Sequence, residues 1–198
     1  MTIGQAITLS KISPLENVGL LAYMAEQGIP AEVCQKYLQE FRVYNKQKKK
    51  HFMALGMIND DEGYELQNQN YSGWIMGERD ASLILGRKHP THHFHVFLHM
   101  NDFLALVARE KEYSFDGDSL ILHTLDLLNI VPLYLHLFGY KRLYSWMPNN
   151  EQGKTAIDTL SSYCIAEQGL EHIPRNEFFA KYETIREWCA NQQPVRQG

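Results

Sequence analysis

Apolar residues near the start of the chain recur at the spacing of a helix with one buried face. Within residues 15–27 they fall at positions i, i+3, i+4 and i+7, namely at Val18, Leu21, Ala22 and Ala25. Gly28 is typical of a helix end, and Pro30 fits the first turn of a following helix. The pattern therefore predicts two consecutive helices, and the second places on one side Val33, Tyr37 and Phe41.

The period of the pattern then shortens to that of β-strands. Strand-like runs occupy residues 42–44, 51–55 and 63–67. The polar residues 59–62, which separate the last two runs, are typical of a turn. We predict that residues 1–90 form an N-terminal α+β subdomain, made of two helices and a small antiparallel sheet.

The second half of the chain alternates strands with helices. Strand patterns cover residues 93–98, 119–122 and 141–147. Helical patterns begin near Asn101 or Asp102, which are candidate N-caps, and cover residues 124–138 and 151–168. A last helix is expected after Asn176, aligning Phe178, Tyr182, Ile185 and Cys189. This alternation predicts a parallel, Rossmann-type α/β domain over residues 91–198, with adjacent strands around Val96, Ile121 and Tyr144.

Composition places the 198-residue chain among globular proteins, because 44% of its residues are hydrophobic and 21% are charged. Residues 1–90 carry ten Lys and Arg against ten Asp and Glu, whereas residues 91–198 carry nine against thirteen. Neither half has the basic excess of a domain that binds nucleic acid through bulk charge. One basic run, of Lys46, Lys48, Lys49 and Lys50, falls in a predicted turn. It fits a solvated hairpin tip or a loop that contacts phosphates.

Three features bear on the compartment of the protein. The cysteines are odd in number and far apart, at Cys34, Cys164 and Cys189, which favours free thiols in a reducing cytoplasm. No apolar run approaches the roughly 20 residues of a membrane helix. The first residues lack a basic segment followed by an apolar core, so we expect no secretory signal and no membrane partner.

Four segments, in the same order and spacing, resemble the Toprim-containing primase-like proteins of bacterial mobile elements. LLAYMAEQGIPAEVCQKY (residues 20–37) is similar to the family pattern YLxxRGIPxExAxxY, and MALGMINDDEGYELQNQNYSG (residues 53–73) to xAIGFxNxxGGYELRNxxFKG. HVFLHMNDFLAL (residues 95–106) resembles VFEGFMDFLS, and LYSWMPNNEQGKTAIDTL (residues 143–160) resembles IxLYLDNDEAGxxA. The resemblance implies a Toprim-like domain in the second half.

The family binds magnesium through a Glu after the first strand of this domain and an Asp-x-Asp after the third. Here Leu98 and His99 stand at the Glu-Gly positions, and Pro148 and Asn150 at the two Asp positions. The positions that keep the family residue are Asp102, Glu151 and Gly153. Because magnesium requires oxygen ligands, mostly carboxylates, we expect a degenerate active site, no catalysis and no bound magnesium.

The first half departs from the family in the same direction. Gln67 replaces an Arg and Ser72 replaces a Lys that the resemblance implies as nucleotide or backbone contacts. The side chains that remain as candidate nucleic-acid contacts are Lys46, Lys48, Lys49, Lys50, Gln67, Arg79 and Lys154.

Two further clusters have alternative interpretations. His93, His95 and His99 would share one face of an extended strand and suit zinc, copper or nickel, although an exposed polar run at a strand edge explains them more simply. Residues 149–154 would fit a phosphate at a helix start with Lys154 as the cation, but they lack P-loop glycine spacing and also fit a capped turn.

The sequence therefore predicts a non-catalytic, primase-like protein of a mobile element that binds DNA or a replication or mobilization protein. Two alternatives stay open. One is an active nucleotidyltransferase or nuclease with a site rebuilt from Asp102, Asn150 and Glu151. The other is a protein-interaction module that uses the degenerate cleft as its interface.

Overall fold

The computed structural model describes residues 7–192. The strands are β1 (Ile7–Pro14), β2 (Gln39–Asn45), β3 (Lys50–Ile58), β4 (Tyr64–Asn68), β5 (Tyr71–Met76), β6 (Ser82–Ile84), β7 (His93–Phe97), β8 (Asp118–Ile121), β9 (Arg142–Trp146) and β10 (Glu171–Pro174). The helices are α1 (Val18–Glu26), α2 (Ala31–Tyr37), α3 (Met100–Val107), α4 (Val131–Phe138), α5 (Glu151–Ala166) and α6 (Ile185–Asn191). The chain forms two compact units that divide between Ser82 and Leu83, earlier than the predicted division at residue 90.

The first unit is built on an antiparallel sheet with the strand order β1-β2-β3-β4-β5. Its helices α1 and α2 are those the sequence predicts, although Pro30 is the N-cap of α2 rather than a residue of its first turn. The sheet has two strands that the sequence pattern did not indicate, β1 and β5. β1 was missed because most of its side chains are exposed or half-buried, which weakens the alternation. The core of the first unit includes Ile7, Phe41, Val43, Ala54 and Leu66.

The second unit contains the predicted parallel arrangement. Its sheet has the order β10-β9-β7-β8-β6, and β7 runs parallel to both β8 and β9. Val96 is paired with Leu120 on one side and with Ser145 on the other, so the three strands expected to be adjacent are adjacent. The prediction of a mixed α/β fold, antiparallel first and mostly parallel later, is confirmed.

Both faces of the second sheet carry aromatic packing. Phe94 stacks on Tyr140 with ring centroids 4.3 Å apart. Side chains alternate along a strand, so Phe97, three residues after Phe94, points to the opposite face, where it packs edge-on against Phe103 of α3 at 5.5 Å. Helix α3 therefore covers this second face near the carboxyl end of β7.

Several local predictions need correction. β7 is the middle strand of its sheet, so its histidines do not lie on a strand edge. The N-cap of α3 is His99, and Asp102 lies inside the first turn. The segment 124–138 begins as a 3-10 helix (Leu125–Ile130) before α4. The predicted last helix is divided into a 3-10 helix (Asn176–Phe179) and α6, since Thr184 caps a new helix start by accepting from the Glu187 N–H.

Cys34, Cys164 and Cys189 are free, and burial raises the pKa of the Cys34 thiol to about 12, which suits a packing role. Within residues 7–192, no helix has both the length and the apolar character needed to cross a membrane.

Candidate functional site

The residues that the family resemblance assigns to a metal site do come together. Phe97, the last residue of β7, is paired with Trp146, the last residue of β9. Leu98 and His99 follow β7, and residues 147–150 follow β9. In α/β sheets of this kind, ligands bind outside the carboxyl ends of the strands. We call this place the carboxyl edge of the sheet.

The side chains at the carboxyl edge are largely apolar or engaged in structure. Leu98 is 4% exposed, Met147 is fully buried and Pro148 is buried. None of these three side chains supplies an oxygen ligand for magnesium or exchanges a proton. The edge therefore lacks carboxylates at the positions where the family carries them.

Asp102 is a buried carboxylate in the first turn of α3, just after the carboxyl end of β7, and its role there is structural. It is 3% exposed, and its Oδ1 atom accepts a hydrogen bond of 3.0 Å from the backbone N–H of Arg186. Burial raises the pKa of its carboxyl above the ordinary value, and the hydrogen bond from Arg186 acts in the opposite direction. Asp102 thereby joins α3 to the first turn of α6.

Asn150 is the N-cap of α5. Its Oδ1 atom accepts from the Gly153 N–H at 3.0 Å, and its Nδ2 atom donates to Glu183 Oε1 at 2.9 Å. Gly153 is required by close approach, because a Cβ atom there would lie 1.9 Å from the carbonyl oxygen of Pro148. Glu151 is exposed in the first turn of α5, where a carboxylate favours the positive end of the helix dipole.

Asn149 holds a later part of the chain against this edge. Its Nδ2 atom donates to the carbonyl oxygens of Asn176, Phe179 and Tyr182 at 3.2, 3.1 and 2.9 Å, and its backbone N–H donates to Glu183 O at 2.8 Å. Residues 176–186, which we call the closing segment, are thus tied both to the loop after β9 and, through Arg186, to α3. The side chains of Asp102, Asn149 and Asn150 each form a hydrogen bond with a residue of the closing segment.

The residues present do not fit a magnesium ion. Within residues 7–192, no group of three His, Cys, Asp or Glu side chains is arranged to hold a metal. The rebuilt site imagined from Asp102, Asn150 and Glu151 is not assembled, since the first two are committed to structural hydrogen bonds. The three histidines do not form such a group either: His93 and His95 lie within β7, whereas His99 lies beyond its end, at the N-cap position of α3.

The predicted nucleic-acid contacts are divided between surface and interior. Lys46, Lys48 and Lys49 are exposed in the turn between β2 and β3, and Lys50 is exposed at the start of β3; Arg79 and Lys154 are exposed elsewhere. Gln67 is buried, and its Nε2 atom donates to the sulfur of Met24 at 3.7 Å. Gln67 therefore packs inside the first unit, and its contact with nucleic acid stays a prediction.

A second site, which the sequence pattern did not indicate, lies on the face of the second sheet that carries His93 and His95. It is a cavity of about 470 Å³, which we call the aromatic pocket. Its lining comes from strand side chains, from the loops before β7 and β8, and from the segment after β10. The lining residues are Arg87, Lys88, Thr91, His93, His95, Glu110, Phe115, Asp116, Gly117, Tyr144, Trp146, Arg175 and Phe178.

Rings form the floor of the aromatic pocket. His95 lies between the rings of Phe115 and Tyr144, with centroid distances of 4.7 and 4.8 Å. Its Nδ1 atom accepts from Trp146 Nε1 at 3.1 Å, so the neutral ring carries its proton on Nε2. Burial lowers the pKa of His95 to about 3, and this imidazole is therefore uncharged at neutral pH. His93 stacks parallel to Tyr144, whose hydroxyl lies 3.0 Å from His93 Nδ1.

Arg175 is the unusual group of the aromatic pocket. Its Cζ atom lies 4.9 Å from the ring centroid of Tyr144, 5.0 Å from that of Phe178 and 6.0 Å from that of Trp146. Its Nε atom is buried and has no hydrogen-bond acceptor among residues 7–192. A buried donor without an acceptor costs about 1–3 kcal/mol, and more when it is charged, so such groups need an explanation.

The rim cations of the pocket are neutralised in part. Arg87 and Lys88 both donate to Asp116, at 2.5 Å in each case. These hydrogen bonds lower the pKa of the Asp116 carboxyl to about 2. Glu110 also lines the cavity, and burial raises the pKa of its carboxyl. The sequence signal for this site was the alternation of His93 and His95 opposite Tyr144 and Trp146, but it could not show that Arg175 returns to the same face.

Known structures of low sequence identity share this fold. The primase fragment of the bacteriophage T7 primase-helicase protein superposes with a TM-score of 0.60 at 16% identity, covering 93% of this chain and 78% of that one. A complex of T7 lagging-strand DNA polymerase with primase domains of two gp4 subunits, bound to an RNA/DNA hybrid and dTTP, gives a TM-score of 0.50 at 14% identity, covering 92% of this chain and 100% of the matched one. The chain thus has a primase-like fold.

Sequence comparisons add one match. Residues 9–76 match the model of a domain of unknown function (DUF8464), which covers most of the first unit. No curated protein matches the sequence significantly.

Proposed function

We propose that this chain is a primase-like protein of a mobile element that does not catalyse phosphoryl transfer and acts by binding single-stranded nucleic acid. The observation that carries the first part is the carboxyl edge, where Leu98, Pro148 and Asn150 stand at the carboxylate positions. Phosphoryl transfer requires charge on the transferring group to be neutralised, and an amide or an aliphatic side chain does this poorly. The setting in a mobile element rests on the sequence resemblance.

Three features support nucleic acid as the partner. The fold is that of primase domains, one of which is bound to an RNA/DNA hybrid in its own structure. The turn between β2 and β3 presents exposed lysines that suit phosphates. The aromatic pocket supplies rings and a guanidinium, which is the combination that single-strand binding uses. Because the chain carries a net charge of −4, we expect few phosphate contacts and therefore a shallow dependence of affinity on salt.

A replication or mobilization protein is the second candidate partner, favoured by exposed apolar side chains in the second unit. Leu133 and Leu137 lie one turn apart on α4 and are 63% and 71% exposed, and Ile165 near the end of α5 is 87% exposed. Exposed apolar side chains that adjoin one another, as Leu133 and Leu137 do on one face of α4, are typical of protein-binding surfaces. On this alternative, nucleic acid would bind weakly or not at all.

Fluorescence anisotropy tests the proposal with labelled single-stranded DNA, single-stranded RNA and duplex DNA, in EDTA and in magnesium. We expect saturable binding of single strands that EDTA does not change. Replacing Lys46, Lys49 and Lys50 by Gln should weaken binding more than the matched change at the exposed Lys11, Lys141 and Lys181. Failure to bind any of the three nucleic acids, or binding that requires magnesium, would contradict the proposal.

A further inference from the structure

We propose that the aromatic pocket binds one nucleoside monophosphate group, with Arg175 on the phosphate and the rings of Phe178 and His93 against the base. The part of this inference that concerns a nucleic-acid strand rests on the proposed function. The same chemistry is offered by two sources, a free nucleotide and the 5′-phosphorylated end of a single strand. The pocket lies on the face of the sheet that carries His93 and His95, and it reaches the end of β9 at Trp146.

The size and construction of the cavity suit a ligand of this class. A volume of about 470 Å³ falls within the roughly 300–1,000 Å³ of small-molecule sites. Four of its thirteen lining residues lie on the central strands β7 and β9, which are held by the sheet hydrogen bonds. This part of the wall keeps its shape without a ligand, which reduces the ordering needed on binding.

The charge of the lining points to an anion. Three cationic side chains face the cavity, and Asp116 and Glu110 are the two carboxylates among the lining residues. This excess of positive charge occurs in a chain whose net charge is −4. Because Arg87 and Lys88 are both bound to Asp116, Arg175 is the lining cation whose side chain has neither a hydrogen bond nor an ion pair among the residues described.

The geometry of Arg175 determines how an anion would bind. The Cζ atom of Arg175 lies over the rings of Tyr144, Trp146 and Phe178, and its Nε–H has no acceptor among residues 7–192, so this guanidinium has N–H capacity left for an anion. A planar fork of N–H donors matches the oxygens of a phosphate or carboxylate in a bidentate manner. The neutral His95 adds an Nε2–H donor in the same cavity.

The aromatic walls extend this anion site to a planar ring. Phe178 is 61% exposed beside Arg175, and His93 is half-buried over Tyr144. Stacking on such rings tolerates every base, because each base has an aromatic face. A monophosphate fits better than a triphosphate, since one unpaired guanidinium and no metal-binding group in residues 7–192 are available to balance the charge.

Calorimetry with adenosine monophosphate and thymidine monophosphate tests the free-nucleotide form, with adenosine and adenosine triphosphate as comparisons. We expect a saturable site that prefers the monophosphates over adenosine. Arg175→Gln should weaken this binding by about tenfold to a hundredfold, as expected for the loss of hydrogen bonds to a charged group. Lys181→Gln removes an exposed charge in the same unit and should have no effect.

Anisotropy with strands that differ only in a 5′-phosphate or a 5′-hydroxyl tests the strand-bound form. Phe178→Ala removes an exposed ring and should weaken the binding of both the free nucleotide and the 5′-phosphorylated strand. Thermal unfolding shows whether Arg175→Gln impairs folding, and Phe178→Ala remains a test of the site if it does. The inference is overturned if the wild type binds no monophosphate. It is also overturned if Arg175→Gln or Phe178→Ala binds the monophosphate as tightly as the wild type. Strand binding that ignores the 5′-phosphate and both substitutions would overturn it while leaving the proposed function intact. Arg175-dependent binding of a monophosphate without any strand binding would support the nucleotide site and contradict the proposed function.

Discussion

The Oδ1 atom of Asp102 accepts a hydrogen bond of 3.0 Å from the backbone N–H of Arg186. The two residues belong to α3 and α6, which pack against each other in the second unit. An acidic residue that the family resemblance places near a metal is here an attachment point for the closing segment. At the carboxyl edge, the polar groups of Asp102, Asn149 and Asn150 therefore serve structural hydrogen bonds.

Asp102 should make stability depend on pH in a direction opposite to that of most salt-bridged carboxylates. Its pKa is higher in the folded protein than the ordinary value of 3.8, so its contribution is present below pH 3.8 and is lost as pH rises through the folded pKa. Asp102→Asn keeps an acceptor without the charge. Urea unfolding should show the free energy of unfolding of Asp102→Asn rising relative to the wild type as pH increases from 3.8.

The control for this experiment is Asp102→Ala, which removes the acceptor as well as the charge. It should lower the free energy of unfolding by about 1–3 kcal/mol at neutral pH. A difference between Asp102→Asn and the wild type that stays constant with pH, or decreases as pH rises, would contradict the assignment.

Asn149 should be important for the closing segment. Asn149→Ala removes the donor shared by three carbonyl oxygens and should lower the free energy of unfolding by about 2 kcal/mol. Asn149→Asp should cost more, since it sets a carboxylate against those carbonyls. Hydrogen exchange should become faster in residues 176–186. Asn191→Ala, which loses an exposed hydrogen bond within α6, is the matched control, and equal effects of the two alanine substitutions would refute the role of Asn149.

Gly153 should tolerate no side chain. An alanine Cβ atom would lie 1.9 Å from the carbonyl oxygen of Pro148, which is backbone and has to move. Gly153→Ala should destabilise the protein by about 1–3 kcal/mol, as overpacking does. The exposed neighbour Gln152 provides the comparison, because Gln152→Ala should change stability by no more than about 0.5 kcal/mol. Similar thermal unfolding of both variants would show that the helix start adjusts easily.

The sequence predicted the parallel sheet because its strands are short apolar runs separated by helices, as in the run from Ser119 to Leu122. It did not predict β1, whose pairing with β2 depends on partners distant in the chain. The last helix was misplaced for a related reason. Its apolar spacing continues from Phe178 to Cys189, but residues 176–179 form a 3-10 helix and Thr184 caps a separate start of α6. Asn149, far away in the sequence, donates to carbonyl groups in the segment before that cap.

The candidate sites were predictable to different degrees. The loss of carboxylates at residues 98, 148 and 150 can be read from the resemblance, because it concerns residue type alone. The closing segment could not be predicted, since hydrogen bonds such as that from Arg186 to Asp102 join residues far apart in the chain. The aromatic pocket also depends on the register between β7 and β9, which pairs His95 with Tyr144.

Magnesium should have no effect on stability. A ligand raises the melting temperature only as far as it binds the native state, and the carboxyl edge has no carboxylate cage to bind this ion. Scanning calorimetry in EDTA and in millimolar magnesium should therefore give the same melting temperature. A rise of several degrees with magnesium would mean that a cation site exists in the folded protein.

Turnover is the most direct test of the claim that the carboxyl edge is not catalytic. Purified protein is assayed for primer synthesis and for strand cleavage on single-stranded and duplex substrates, with magnesium or manganese. We expect no product above that of a protein-free control. Product made by the unmodified protein, and abolished by Glu151→Gln or Asp102→Asn, would contradict it by showing that the site had been rebuilt.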